Sequence, residues 1–261
     1  MKIAITNQKG GVGKTTTAVN LAAALASFGH KTLLLDLDSQ ANATANLRIE
    51  PTGGTVRELI TGDQPQLYPT AVDGLSMIPS TVDLAGAETY LAQNPDPQLL
   101  ARALRSLQRQ FDFIICDCPP SLGQLTIAAL VACDRAIIPM EAGIWEMQGL
   151  IRLIEVLEAT DTQLLGVLLT RYDRRLAISA DTAQQLRKSG LPIFSVHIPE
   201  RVTAKYAAIA GKTIMDHSPA SDIAQQYRLL AQEVIEHATR SDANTEGASA
   251  AKRKNVKTSK R

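Results

Sequence analysis

The stretch NQKGGVGKTTT, residues 7–17, has the composition of a loop that binds phosphate. Its glycines would let the backbone bend and bring its N–H groups against phosphate oxygens. These glycines are Gly10, Gly11 and Gly13. Lys14 would reach the terminal phosphates of a nucleotide, and the Thr15 hydroxyl would hold Mg²⁺. The alternative is a glycine-rich turn with incidental lysines.

The entrance of this loop departs from the usual pattern. That pattern has a glycine, then four residues, then the final Gly-Lys pair, but Gln8 stands where the first glycine should be. The chain instead carries a second lysine, Lys9, just before the glycines. Lys9 is therefore either a solvated lysine of the loop or a second ligand of the phosphates.

Carboxylates follow two apolar runs, KTLLLDLD (31–38) and FDFIICD (111–117). Asp36 and Asp38 end a predicted strand, and we expect them to point to opposite faces, one toward the nucleotide and the other anchoring a switch segment. They could instead cap the helix that follows. Asp117 is placed to hold Mg²⁺ through water, because Mg²⁺ gives up its hydration reluctantly.

These residues need a framework, and the chain alternates short apolar runs with helical patterns. Strands are predicted at residues 2–6, 31–38, 75–79, 111–117, 135–140, 164–170 and 193–199. Helices are predicted near residues 14–28, 82–93, 97–109, 122–132, 146–159, 178–189 and 219–238. This alternation predicts an α/β fold, an open, mostly parallel twisted sheet with helices on both faces. Its ligand should lie beyond the carboxyl ends of the strands.

Composition narrows the class of protein. The 261 residues are 45% hydrophobic and only 4% aromatic, which makes an extended base-stacking surface improbable. No apolar run reaches the roughly 18–20 residues that span a bilayer. The start Met1-Lys2 leads directly into a strand, so we expect no signal peptide and a cytoplasmic location. The three cysteines lie in or beside apolar runs and are expected to be buried thiols.

The charge is uneven along the chain. The last ten residues contain six Lys or Arg and no acid, although the whole chain carries only +1. Residues 240–261 are small and polar, which predicts a disordered basic tail after an ATPase-type domain over residues 1–239. The tail could tether DNA or only aid solubility. It lacks the bulky apolar residues of a membrane-binding helix.

Three segments carry a family resemblance. KGGVGKTT resembles the deviant Walker A box of the ParA/MinD superfamily, DLDSQANAT resembles its second box, and FDFIICDCPPSLG resembles its Walker B and switch region. With VLLTRYDRR and HIPERV, the resemblance covers roughly residues 1–238 and is nearest to the short, Soj-like ParA proteins. Ser39 departs from the proline usual in the second box.

The resemblance implies an ATP- and Mg²⁺-dependent ATPase and assigns roles. Lys9 would reach the nucleotide of the other subunit in an ATP-bound homodimer, much as an arginine finger does. Asp38 would position the attacking water, and Asp36 is the weaker candidate for supporting Mg²⁺ beside Thr15 and Asp117. Catalytic roles fall to Asp38, Lys9 and Lys14. The ATP-binding residues are predicted to be Lys9, Gly10, Gly11, Val12, Gly13, Lys14, Thr15, Thr16 and Pro199.

A basic segment lies in the second half of the chain. Residues 171–205 contain seven Lys or Arg against three acids, enough for a surface that contacts DNA phosphates without reading sequence. Arg175 matches an arginine with which short ParA proteins contact DNA. A second such arginine is replaced by Thr203, and Arg201 and Lys205 flank it as substitutes. A solvated charged face is the alternative.

The function implied is partitioning of plasmid or chromosomal DNA by a nucleoid-associated ATPase that binds non-specific double-stranded DNA and a ParB-like or other cargo-adaptor protein. The nearest alternative positions a protein cargo, such as a carboxysome or a chemosensory cluster. Others are a MinD-like membrane-associated ATPase, an ATP-driven reductase or metal-cluster carrier, and a regulatory module without turnover.

Overall fold

The computed structural model describes the backbone of residues 1–258 and the side chains of residues 1–143 and 146–240. One sheet is built from strands β1 (Lys2–Ile5), β2 (Thr32–Asp36), β3 (Tyr68–Pro69), β4 (Leu75–Ile78), β5 (Phe113–Asp117), β6 (Arg135–Glu141) and β7 (Gln163–Thr170). The helices are α1 (Lys14–Ser27), α2 (Asn42–Asn46), α3 (Val56–Thr61), α4 (Leu84–Gln93), α5 (Leu99–Ala103), α6 (Gln124–Ala132), α7 (Ile144–Ala159), α8 (Ala177–Lys188), α9 (Val202–Ile209), α10 (Ile214–His217) and α11 (Asp222–Thr258).

The sheet has the order β3-β4-β2-β5-β1-β6-β7. All neighbouring strands are parallel except the edge pair β3–β4. The predicted fold class is therefore confirmed. Asp117 pairs in register with Ile5 on one side and Asp36 on the other, so the carboxyl ends of β1, β2 and β5 meet at one edge.

Both faces of the sheet are covered by apolar side chains. Successive residues of a strand point to opposite faces, and Ile3 and Ile5 accordingly join the core cluster that includes α1 and α11. Ala4 joins the other cluster, with residues of α4, α6 and α7. Burial on both faces explains why the strands read as continuous apolar runs.

The predicted strand over residues 193–199 is wrong. Ile193 forms only an isolated bridge with Val167. The N–H of Phe194 donates to the carbonyl of Val167, but the next bond, to the carbonyl of Leu169, comes from Ile198. A parallel ladder advances two residues on each strand, so this segment carries two residues too many and no regular strand forms.

The shortest helices and the shortest strand were not predicted from the sequence. β3 and the helices α2, α3, α9 and α10 span two to eight residues, too few for a periodic signal. The helix α3 did have a recognisable sequence signature, because Thr55 and Glu58 form a capping box at its start.

The last helix, α11, is longer than the predicted 219–238 and continues along the backbone into the segment whose composition predicted disorder. The division into a domain over 1–239 and a tail over 240–261 stays a prediction, and residues 259–261 lie outside the described residues.

Candidate nucleotide site

The glycine-rich loop joins β1 to α1 at the edge where the strand ends meet. Gly11 and Gly13 have φ angles of 77° and 86°, in the left-handed region that favours glycine. Gly13 is the N-cap of α1 and has no side chain to accept from the first helical N–H groups. Those N–H groups are therefore free to bind an anion, as at other phosphate-binding helix starts.

Lys14 lies inside this loop and is only 7% exposed. Its Nζ donates to the Lys9 carbonyl over 2.9 Å. Burial lowers the pKa of Lys14, while the negative charges of Asp117 and Asp38 oppose that shift. A phosphate group would replace the carbonyl as the acceptor and strengthen the charged form of the lysine.

Asp36 is fully buried and anchors the segment after β2. Its Oδ2 accepts from the N–H and the hydroxyl of Thr44 at 2.9 and 2.8 Å, and its Oδ1 accepts from the N–H of Asp38. The Thr44 hydroxyl in turn accepts from the N–H of Ser80 at 2.9 Å. Burial raises the pKa of Asp36 to about 6. This arrangement fits the anchoring role expected for one member of the pair, and its support of Mg²⁺ stays a prediction.

Asp38 lies beyond the strand, because β2 ends at Asp36 and the predicted strand was two residues too long. The expectation that the two carboxylates point to opposite faces of a strand was wrong, because residues two apart in a strand share a face and Asp38 lies outside the strand. Its side chain is 9% exposed, and its Oδ1 accepts from the N–H of Gln40 at 2.9 Å. Its negative charge opposes the fall in the pKa of Lys14 that burial causes, and its role toward a nucleotide stays a prediction.

Asp117 ends β5 with no exposed surface. Among the described residues, no hydrogen bond of ordinary geometry reaches either carboxylate oxygen, although the Thr15 hydroxyl is near enough to lower the pKa of this group. Burial, and next the charge of Asp36, raise that pKa well above its ordinary value. A buried carboxylate without partners is costly unless it binds a cation. Thr15 and Asp117 thus fit a Mg²⁺ site, whose preferred ligands are oxygens.

A small pocket of about 120 Å³, here called the base pocket, adjoins the loop. Gly11, Gly13 and Thr16 line it from the loop and the start of α1. Further lining residues come from the ends of β7 and of the irregular segment: Thr170, Arg171, Ile198, Pro199 and Glu200. The family resemblance implies that the base of the nucleotide lies around Thr170-Arg171 and Ile198-Pro199-Glu200, and these residues all line the pocket. The structure therefore brings Pro199 and Thr16 together with the loop.

Lys9 is half exposed, but its ammonium group is held by carboxylates of its own protomer. Its Nζ lies 2.6 Å from Glu146 and 3.8 Å from Glu141 of the same protomer. The predicted role of Lys9 concerns another subunit and stays a prediction.

The arginines predicted to contact DNA line a second, larger cleft of about 770 Å³, here called the arginine cleft. Four arginines line it: Arg171, Arg174, Arg175 and Arg201. Arg175 pairs with Asp173 at 2.7 Å, and Arg201 pairs with Asp222. Lys205 lines the base pocket instead, as Arg201 also does.

Sequence reasoning missed three residues that hold the site. Thr44 lies inside the second box, where its hydroxyl could have been considered as a partner of Asp36. Glu146 and Glu141 gave no local signal, because they are more than 130 residues from Lys9.

The three cysteines are buried, as expected from the apolar runs around them. No helix within residues 1–258 has the length and apolar character to cross a bilayer.

Comparison with known sequences places these features among partitioning proteins. A family model described as an AAA domain matches residues 1–168. The chain is 41% identical to the chromosome-partitioning ATPase Soj of Thermus thermophilus over 241 residues, covering 90% of this chain and 95% of that protein. It is 40% identical to the sporulation initiation inhibitor protein Soj of Bacillus subtilis, covering 89% of this chain and 97% of that protein.

Solved structures agree on the fold. Apo McdA from Cyanothece matches with a TM-score of 0.80 and 29% identity, covering 89% of this chain and 98% of that one. Cobyrinic acid a,c-diamide synthase from Mycobacterium smegmatis, with a bound ATP analogue and magnesium, matches with a TM-score of 0.78 and 33% identity, covering 90% and 94%. Relatives of this fold therefore include proteins that bind nucleotide and magnesium.

Proposed function

The chain belongs to the ParA/MinD superfamily and is a Soj-like partitioning ATPase, and from this premise we propose that it is an ATP-driven dimerising switch. In this proposal two protomers pair when ATP is bound, and the pair binds double-stranded DNA without sequence preference. A ParB-like or other adaptor stimulates slow hydrolysis and releases the pair. The cargo is plasmid or chromosomal DNA in the nucleoid.

The orphaned carboxylate of Asp117 is the observation that carries the ATPase part. It lies against Thr15 and within reach of the charge of Lys14, where the β- and γ-phosphates would lie on the helix start. Mg²⁺, when bound, neutralises charge on the phosphates. Thr15 and Asp117 would hold it, with Asp36 as the weaker support. Lys14 would exchange the Lys9 carbonyl for phosphate oxygens.

Asp38 is proposed to orient the water that attacks the γ-phosphate. Two features support this role: its carboxylate is close enough to Lys14 to influence that pKa, and the turn that carries it is held by Asp36. The bond from Gln40 fixes one oxygen of Asp38, which favours a defined orientation. Pro199 and Thr16 line the base pocket, where they would contact a bound nucleotide.

Lys9 is proposed to reach the triphosphate of the other subunit. A cation supplied across the interface ties pairing to the bound nucleotide and stabilises charge that develops on the phosphoryl group. The exposed half of the Lys9 side chain supports this, since 51% of its surface is accessible at the mouth of the loop.

DNA binding is proposed for the arginine cleft and its rim, with Arg175, Arg201 and Lys205 as phosphate contacts. The support is the clustering of four arginines in one cleft beside the nucleotide pocket. Curated relatives named for chromosome partitioning favour DNA over a protein cargo.

The test combines two variants with one binding assay. Lys9→Ala should lose ATP-dependent pairing, whereas Asp38→Ala should still pair with ATP but fail to hydrolyse it, as measured by sedimentation and phosphate release. Wild type should bind random-sequence DNA only with ATP, and less tightly as salt rises. DNA binding that ignores ATP or salt would contradict the DNA part alone, and wild-type behaviour of both variants would contradict the assigned roles.

A further inference from the structure

Lys9 is bound within its own protomer by a nearly buried carboxylate. Its Nζ donates to Glu146 Oε1 over 2.6 Å, and the side chain of Glu146 is only 13% exposed. The hydrogen bond from Lys9 is the main reason that the pKa of Glu146 is lowered, and the same bond raises the pKa of Lys9. Both groups are therefore charged at neutral pH, and the contact is an ion pair.

Gly143 makes room for this contact. It precedes α7, and a Cβ added to it would collide with the carboxylate of Glu146. Its backbone is extended, with a φ of 172°, so a side chain here would strain no backbone angle and would instead displace the flexible carboxylate. The carboxylate folds back over the start of its own helix and faces the phosphate loop.

The ion pair is the outer end of a longer network. Glu141, at the end of β6, lies 3.8 Å from Lys9 and 2.8 Å from Arg171. Arg171 also lies 3.8 Å from Glu200, and these two residues line the base pocket. The position of Lys9 is thus connected to the place where the base would enter.

We propose that Glu146, supported by Glu141, holds Lys9 back inside its own protomer and thereby sets how readily two ATP-bound protomers pair. This inference rests on the proposed function, in which Lys9 crosses to the other subunit. A single ammonium group held in a 2.6 Å bond to Glu146 must release that carboxylate to reach a phosphate across an interface. Glu146 is therefore a positioning residue that competes with the triphosphate of the other subunit.

Symmetry doubles the effect. Pairing of two identical protomers breaks the contact twice, once in each subunit. We expect Glu146→Gln, which keeps the shape and removes the charge, to tighten pairing about tenfold, the size expected when two partly exposed ion pairs no longer oppose it. Glu141→Gln should have a smaller effect, because its carboxylate is farther from Lys9. The gain should shrink at high salt.

The experiment measures the dimer dissociation constant by sedimentation, with a non-hydrolysable ATP analogue and Mg²⁺. Glu155→Gln is the matched control, since it removes the same charge from an exposed position on the same helix. A fluorescent ATP analogue, added at protein concentrations below pairing, reports the affinity of the single protomer. That affinity should stay within about twofold of wild type in Glu146→Gln, because Lys9 does not serve its own nucleotide.

A double variant tests whether Glu146 acts through Lys9. Lys9→Ala alone is expected to lose pairing, and adding Glu146→Gln should not restore it; restored pairing in the double variant would overturn the inference, because Glu146 would then oppose pairing without Lys9. If wild type pairs with the analogue and Glu146→Gln pairs no better or more weakly, the inference is overturned, because Glu146 would then support the pair. If wild type itself stays monomeric, the proposed function fails and the inference fails with it.

Discussion

At the scale of single residues, Gly13 shows how one backbone angle prepares the site. Its φ of 86° would be strained for any residue with a Cβ, whereas Gly10 has no such angle and open space around it. We predict that Gly13→Ala destabilises the nucleotide-free protein by about 1–2 kcal/mol and that Gly10→Ala leaves it nearly unchanged. Urea unfolding of the two variants compares them directly. Equal stabilities would mean that the loop relaxes around the new side chain.

The residues identified from sequence and those that were missed differ in where their partners lie. Lys14, Thr15 and the glycines belong to one contiguous loop, so their types and spacing were enough to predict their role. The carboxylates that bind Lys9 lie on β6 and α7, and only folding brings them to the loop. A contact across more than 130 residues leaves no trace in a single sequence when neither partner belongs to a recognisable motif.

At the scale of elements, one hydroxyl joins three segments around the site. Thr44, on α2, donates to Asp36 at the end of β2 and accepts from Ser80, which follows β4. We predict that Thr44→Val lowers the free energy of unfolding by about 1–3 kcal/mol, because the buried N–H of Ser80 loses its acceptor. The same variant should lower kcat for ATP more than it changes KM, since the turn that carries Asp38 is loosened while the phosphate loop is intact.

The matched control is Thr89→Val, whose hydroxyl bonds within its own helix at an exposed position. This variant should change neither the free energy of unfolding nor kcat measurably. If Thr44→Val unfolds like wild type, the Ser80 N–H finds another partner and the anchor is weaker than the contacts indicate. If KM changes as much as kcat, the anchor supports ATP binding as well as turnover.

Elements were predictable where both faces of a strand are buried. β1, β2 and β5 read as apolar runs because helices cover them on both sides, and the fold class followed from their alternation with helices. The segment 193–199 has a similar composition but carries two extra residues between its bonds to β7. Composition reports burial and does not report hydrogen-bond register, so this error could not be avoided from the pattern alone.

At the scale of the whole molecule, the net charge hides an uneven distribution of charge along the chain. The chain carries +1 overall, yet the last ten residues hold six cations and the rest of the chain is negative. In the proposed function, DNA would therefore have to be attracted by a local surface. The arginine cleft is proposed as that surface, and it lies next to the base pocket, with Arg171, Glu200 and Arg201 lining both. Nucleotide and DNA would share one region of the protein, which couples the two ligands at short range.

Arg175 gives the sharpest test of that surface, because its side chain is 88% exposed and held by Asp173 through a 2.7 Å contact that a phosphate could replace. We predict that Arg175→Ala weakens DNA binding and lowers the slope of log affinity against log salt by about 2 in the ATP-bound dimer, one lost phosphate contact in each subunit. Fluorescence anisotropy on a random-sequence duplex between about 50 and 200 mM salt would measure both quantities. Arg152→Ala is the control, since Arg152 is exposed on α7 and does not line the cleft. A wild-type slope in Arg175→Ala would show that this guanidinium meets no phosphate, whereas an equal loss in both variants would point to general attraction in place of a defined contact.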